Sequence, residues 1–232
     1  MDHPILSKVT KESGEWLTNI KNYCIEVNKE WAKILNIPEA TAITCVKPSG
    51  TVSQLVDSAS GIHPRYAQYY IRRVRSDKKD PLADLMINQG VPHETDFYNT
   101  DAWVFSFPIK APDNCITRDE ITALDQLELW KHYQENWCEH KASITVYVKE
   151  NEWLSVGAWV YDNFEMISGI SFLPHSEHSY VQAPYEEIDE LTYHKLLKEI
   201  PKINWNNLVD FEKEDHVEII KELACSSGSC EI

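Results

Sequence analysis

The chain lacks several things that would have settled its class at once. No apolar run reaches the length of a membrane span, and the first residues lack the pattern of a secretory signal, so the chain reads as cytoplasmic. Its six cysteines are too few and too scattered for the disulfide framework of a small secreted domain. Cys24, Cys45, Cys115 and Cys138 stand in helix-like or strand-like contexts and read as buried thiols. Positive charge is short: 22 Lys and Arg face 37 Asp and Glu, a net charge of −15 that speaks against non-specific binding to nucleic acid or acidic membranes. There is no internal repeat, no low-complexity linker, and no Gly-Lys-Ser/Thr ending of a P-loop ATPase. What remains is an ordinary folded composition, 43% hydrophobic and 25% charged over 232 residues. Eight Trp and eleven Tyr argue for aromatic packing and against disorder.

Periodicity predicts alternating helices and strands. Trp16, Ile20, Tyr23, Val27, Trp31 and Ile34 recur at helical spacing, predicting one long amphipathic helix ended by Asn36 and Pro38, with its aromatic stripe in the core. Strands are expected at Ile43–Val46, Tyr69–Arg75, Ala102–Phe107, Ser143–Val148 and Gly169–Leu173. Asp80-Pro81 opens a helix that Gly90 stops, and Thr117-Arg-Asp-Glu120 reads as a capping box opening a longer one through Trp130. A helix over Trp153–Phe164 joins two strands into a β-α-β unit, and Asp189–Glu199 is a short acidic helix. From Trp205 onward the chain turns acidic and thin in apolar residues, which reads as a docking segment leading into a mobile tail. The alternation places the chain in the α/β class, with too few strands to close a barrel alone.

Two stretches carry chemistry. In Ala42–Leu55 a β-branched run breaks at Pro48-Ser49-Gly50-Thr51 and resumes at Val52 as an apolar segment. A strand, a small-residue turn and a helix start present backbone N–H groups to an anion. Pro48 stiffens the turn, Gly50 admits close approach, and Ser49, Thr51 and Ser53 add hydroxyls; the alternative is a turn with no ligand. A basic island follows, Lys47, Arg65, Arg72, Arg73, Arg75, Lys78 and Lys79 against Asp57 and Asp77, which either favours a polyphosphate or is a row of solvated arginines on an edge strand. The second stretch is Cys225-Ser-Ser-Gly-Ser-Cys230. Four small residues let the two cysteines approach to the Cα separation of about 5.5 Å that a disulfide needs. No further ligands for zinc lie nearby, so the pair suits thiol–disulfide exchange, or is incidental. His63 in His63-Pro64-Arg65 is either a phosphate contact or part of a turn, and His175 with His178 lacks a third metal ligand.

Lys47–Leu55, Ser60–Tyr66 and Tyr69–Arg75, with Asp80-Pro-Leu82, Val146-Tyr-Val148, Ile170–Pro174, Gln182–Glu187 and Ala224–Cys230, resemble the adenosylcobalamin-dependent (class II) ribonucleotide reductases, nearest the monomeric ribonucleoside-triphosphate branch. The likeness runs from about Ile37 to the end. It implies the C-terminal part of a ten-stranded α/β barrel, divided as a leading segment and helix (1–40), a barrel portion (41–208), and a docking segment with a redox tail (209–232). It implies a substrate-phosphate loop at Pro48, Ser49, Gly50, Thr51 and Val52. It also implies a thiol relay at Cys225 and Cys230 that re-reduces an active-site disulfide and is itself reduced by a thioredoxin-like donor. Ribonucleoside triphosphates are the implied substrates, and adenosylcobalamin is the implied source of the radical. The family's Asn-Pro-Cys-Gly-Glu-like radical loop is missing from this sequence, so the resemblance implies a partner, the N-terminal catalytic portion, and no activity alone. The rival reading is a non-catalytic thiol-redox or nucleotide-binding module.

Overall fold

A computed structural model describes residues 1–50, 52–175 and 180–212. The chain forms two compact units, one from the described parts of residues 1–65 and 114–176, the other from those of 66–113 and 177–231.

In the first unit Thr10 caps helix α1 (Lys11–Leu35): its hydroxyl accepts from the Ser13 N–H, and the Ser13 hydroxyl takes up the Thr10 N–H. Asn36, in the left-handed conformation at φ 53°, ends the helix as its sequence predicts. The expectation that the aromatic stripe is core is overturned. Ser13, Gly14, Leu17 and Ala32 are the buried positions, and α1 packs through them toward α4 (Ala123–Asn136). Trp16, Ile20, Tyr23, Trp31 and Ile34 are exposed. Gly14 sets this choice, because a Cβ there would stand 3.1 Å from His132 Cε1, so α4 approaches the Gly14 face of the helix.

Thr122 caps α4, its hydroxyl accepting from the Asp125 N–H. Thr117–Glu120 does close a boxed turn, with the Glu120 carboxylate accepting from the Thr117 N–H, but it stops short of the helix; Thr122 takes the capping role instead. Strand β4 (Thr145–Val148), helix α5 (Trp153–Asp162) and strand β5 (Ser171–Pro174) form the expected parallel β-α-β unit. Ile144, Val146 and Val148 bury one face against Leu127, Trp130, Val156 and Trp159, and the Trp130 indole N–H donates to the Ala142 carbonyl at 2.9 Å.

The second unit is a four-stranded antiparallel sheet in the order β2-β3-β1-β6, with β1 at Tyr69–Asp77, β2 at His93–Thr95, β3 at Ala102–Lys110 and β6 at Tyr185–Glu187. Asp80 caps α3 (Pro81–Asn88), and Gly90 follows at φ 87°, both as read from sequence. Asp189 caps α6 (Glu190–Glu199) through the Thr192 N–H. A short helix, α7 (Leu208–Phe211), packs on α3. Strand β1 lies between β3 and β6, which pairs with Tyr70–Arg72, and the Arg73 N–H donates to the Pro184 carbonyl, so Arg72 and Arg73 are not on an open edge.

Candidate functional site

The candidate phosphate turn belongs to the first unit. Ile43–Val46 is extended but forms no ladder. The Ile43 and Thr44 N–H groups donate to the Glu139 carboxylate at 3.0 and 3.2 Å, and the Thr44 and Val46 carbonyls accept from Glu139 and Ser143 N–H. The expected strand is corrected to a segment held by one carboxylate and the 139–143 loop. The Trp137 indole N–H pins it further at the Cys45 carbonyl. Lys47 Nζ reaches the Ser143 hydroxyl at 3.2 Å and the Lys141 carbonyl at 3.4 Å.

Pro48, Ser49 and Gly50 then form the turn, Thr51 lies outside the described residues, and Val52 opens α2 (Val52–Leu55) with its side chain exposed. Three serines hold the turn together. Ser49 Oγ accepts from the Ser53 N–H at 2.9 Å, the Ser49 N–H donates to Ser60 Oγ at 2.7 Å, and the Ser53 and Ser60 hydroxyls both donate to the Ser49 carbonyl. Gly50 has a backbone outside the left-handed region, and a Cβ built on it meets nothing within 4 Å. The space beside it is open. Conformational need falls instead on Gly61, at φ 58°, where a Cβ would sit 3.2 Å from the Lys47 carbonyl oxygen and from Val46 Cγ1. Ser60-Gly61 therefore clamps the far side of the turn, a role that the dipeptide's turn chemistry signals and that was not assigned from sequence.

Behind the turn lies a buried ion cluster. Arg65, 5% exposed, donates from Nε and Nη2 to Asp2 and from Nη1 to Asp57 at 3.2 Å, and Nη2 also reaches the Asp57 carbonyl at 2.7 Å. Burial pushes the Asp2 carboxyl up, but the Arg65 hydrogen bonds, the Ala59 N–H and the Arg65 charge together bring it below the usual range. His63 is buried between Ser60 and β4. Its Nε2 accepts from the Thr145 N–H at 2.9 Å, so the proton sits on Nδ1, facing the Ser60 carbonyl. Burial, more than any other effect, lowers its pKa. His63 is thus a structural link. His175 Nε2 is held at 2.8 Å by Asp119, and no group of three metal ligands exists among the described residues.

The basic island is largely neutralised from within. In the second unit Arg73 is paired with Glu186 and the Ala183 carbonyl, and Arg75 with Asp96 and the Gln182 carbonyl. Arg72 donates to the Tyr185 hydroxyl at 2.9 Å and lies 5.6 Å over that ring, while Lys78 lies 4.1 Å over Trp103. Arg72, Arg73 and Arg75 clasp β1 to the 182–187 stretch, while Lys78 packs on β3. Glu186 gains a physical role as the partner of Arg73, and Glu187 pairs with Tyr70 in the ladder. The polyphosphate reading of Arg65, Arg73 and Arg75 is withdrawn. Cys225, Cys230 and His178 lie outside the described residues. Of the four thiols expected to be buried only Cys138 is, and burial pushes it up to about 11; Cys24, Cys45 and Cys115 are half-buried, a correction to the sequence reading.

No protein-family model matches the chain. It is 32% identical over 232 residues to a probable adenosylcobalamin-dependent ribonucleoside-triphosphate reductase of Dictyostelium discoideum, a match covering 93% of this chain and 29% of that protein. It is 28% identical over 214 residues to the adenosylcobalamin-dependent ribonucleoside-triphosphate reductase of Lactobacillus leichmannii, covering 90% and 29%. A solved structure of a B12-dependent (class II) ribonucleotide reductase superposes with a TM-score of 0.75 at 25% identity, over 90% of this chain and 30% of that one. The chain thus spans under a third of the length of the relatives it matches, and the sequence resemblance is upheld by both sequence and fold.

Proposed function

From this likeness to one segment of the class II reductases, we propose that the chain is the C-terminal portion of a cobalamin-dependent enzyme reducing ribonucleoside triphosphates to deoxyribonucleotides. The observation that carries the reading is the 32% identity sustained over 93% of the chain, joined to a matching fold. In this reading residues 1–40 lead into a barrel portion at 41–208, where β4, α5 and β5 are one piece of the wall, and 209–232 carry the docking segment and redox tail. The turn at Pro48, Ser49, Gly50, Thr51 and Val52 receives the substrate's phosphates. The open space beside Gly50 supports this, as do the Ser60 hydroxyl and the Ser49 N–H, which can exchange their bonds within the turn for phosphate oxygens. Cys225 and Cys230 pass two electrons to an active-site disulfide, become a disulfide themselves, and are returned to dithiol by a thioredoxin-like donor.

Adenosylcobalamin is named for the relatives, and neither of the described histidines singled out in the sequence has its Nε2 available to it. The two histidines that the sequence offers, His63 and His175, are bound to Thr145 and Asp119.

The test is reconstitution with that remainder, followed by cobalamin-dependent turnover. Gly50→Val should raise KM for the nucleoside triphosphate at least five-fold without unfolding the chain, since the new side chain projects into open space. An unchanged KM removes the turn from the site. Replacing Cys225 and Cys230 with serine should abolish thioredoxin-driven turnover and leave turnover driven by small dithiols. Normal thioredoxin-driven rates would show that the relay lies elsewhere.

A further inference from the structure

Helix α1 has three faces. Gly14, Leu17 and Ala32 are packed, while Glu15, Asn22, Glu26, Lys29 and Lys33 make a polar face that meets water. About 100° from the packed face runs a third stripe, Trp16, Ile20, Tyr23, Trp31 and Ile34, with exposures of 43, 44, 71, 53 and 60%. Eighteen rises of about 1.5 Å from Trp16 to Ile34 make the stripe roughly 27 Å long. A helix that already owns a polar face has no use for a second solvent face built from two tryptophans, a tyrosine and two isoleucines. Contiguous apolar strips of this size mark contact surfaces.

We infer that this stripe docks the portion of the reductase lying outside the present segment. The inference rests on the proposed function, and two observations choose the occupant. The relatives carry about 71% of their length beyond the match, since this chain covers 29% of them, so a large folded body of that enzyme has no counterpart here. The unit that bears α1 also holds a parallel sheet of only two strands, β4 and β5, with Ser171 and Pro174 of β5 exposed. Parallel sheets are normally covered on both faces and extended by further strands. One unit thus shows both a bare apolar helix face and an unfinished sheet, and a single absent body completes both. A second copy of this chain would bring another two-stranded sheet and another bare helix.

The test is co-expression of the full 232-residue chain with the unmatched portion of the Dictyostelium discoideum relative, read by co-purification. Wild-type chain should be recovered in complex. Ile20→Glu with Tyr23→Glu, both at exposed positions, should reduce recovery at least ten-fold, while Asn22→Glu on the polar face should not. Circular dichroism of each variant confirms that α1 still forms. Equal recovery of the stripe variant overturns the inference, as does failure of the wild-type chain to associate. It is also overturned if the chain forms a dimer that the same double change abolishes while the hetero-complex persists. Turnover separates the two ideas: a complex that assembles through the stripe yet shows no cobalamin-dependent reduction sinks the functional reading and leaves the docking face standing.

Discussion

Arg65 is the residue whose loss would be felt most widely. Its guanidinium is almost wholly buried and ties the chain's second residue to Asp57 and, through the Ala59 N–H on the Asp2 carboxylate, to the residue before the Ser60 clamp. Removing one partner of a buried pair leaves a charge without compensation, so Asp2→Asn should cost about 3 kcal/mol, the low end of the usual range because Asp57 remains. A urea unfolding midpoint that does not move would show the pair to be dispensable. His63 makes a different prediction. Its folded pKa lies below the unfolded value of about 6.5, chiefly through burial. Between the two values the unfolded chain binds the extra proton, so stability falls as pH drops from about 6.5 toward the folded pKa and levels off below it. His63→Gln should flatten that fall between pH 7.5 and 5.5. Some slope should remain, because burial also lowers His132. Identical pH profiles for the two proteins would contradict the assignment. Neither role was legible beforehand: Arg65 and His63 sit in a motif that invites a ligand, and only the fold reveals Asp2, Asp57 and Thr145 around them.

At the scale of elements, the contact of α1 with α4 turns on Gly14. Its missing side chain admits His132 and Asn136, and the Ser13 hydroxyl lies 2.9 Å from His132 Nε2. Gly14→Leu should pry the helices apart and cost about 1–3 kcal/mol by overpacking, visible as a lower melting temperature. A rise in melting temperature would mean that the helix-propensity gain over glycine outweighs the clash. Element identity was largely legible, because caps and periodicity are local: Asp80-Pro81 and Asn36 act where they were expected to. The two misplacements have a common cause. The Thr117–Glu120 box and the Ile43–Val46 run carry correct local signals, but Thr122 captures the first and the Glu139 carboxylate the second, nearly a hundred residues away in sequence. The aromatic stripe of α1 misled for a related reason: periodicity shows that a face is apolar, not which body covers it.

For the whole molecule, acidity and the basic island have to be reconciled, and the reconciliation lies in the clasp between β1 and the 182–187 stretch. β1 bonds β3 on one side and β6 on the other, and β6 begins about 108 residues after β1 ends. During synthesis at roughly 5–20 residues per second, the β1–β3 pair is complete once Lys110 is made, and β6 stays unmade for about 4–15 s more. Through that interval the outer side of β1 is a bare strand edge, the feature most prone to pairing with another nascent chain. Arg72 and Arg73 stand there with their later partners Tyr185 and Glu186 not yet translated, while Arg75 is already held by Asp96, and the two waiting cations repel a second copy of themselves. The same side chains that lock the finished sheet would therefore protect the unfinished one. In a ribosome-stalled chain ending at residue 180, the Arg73 amide, which donates to the Pro184 carbonyl in the complete fold, should exchange freely with solvent.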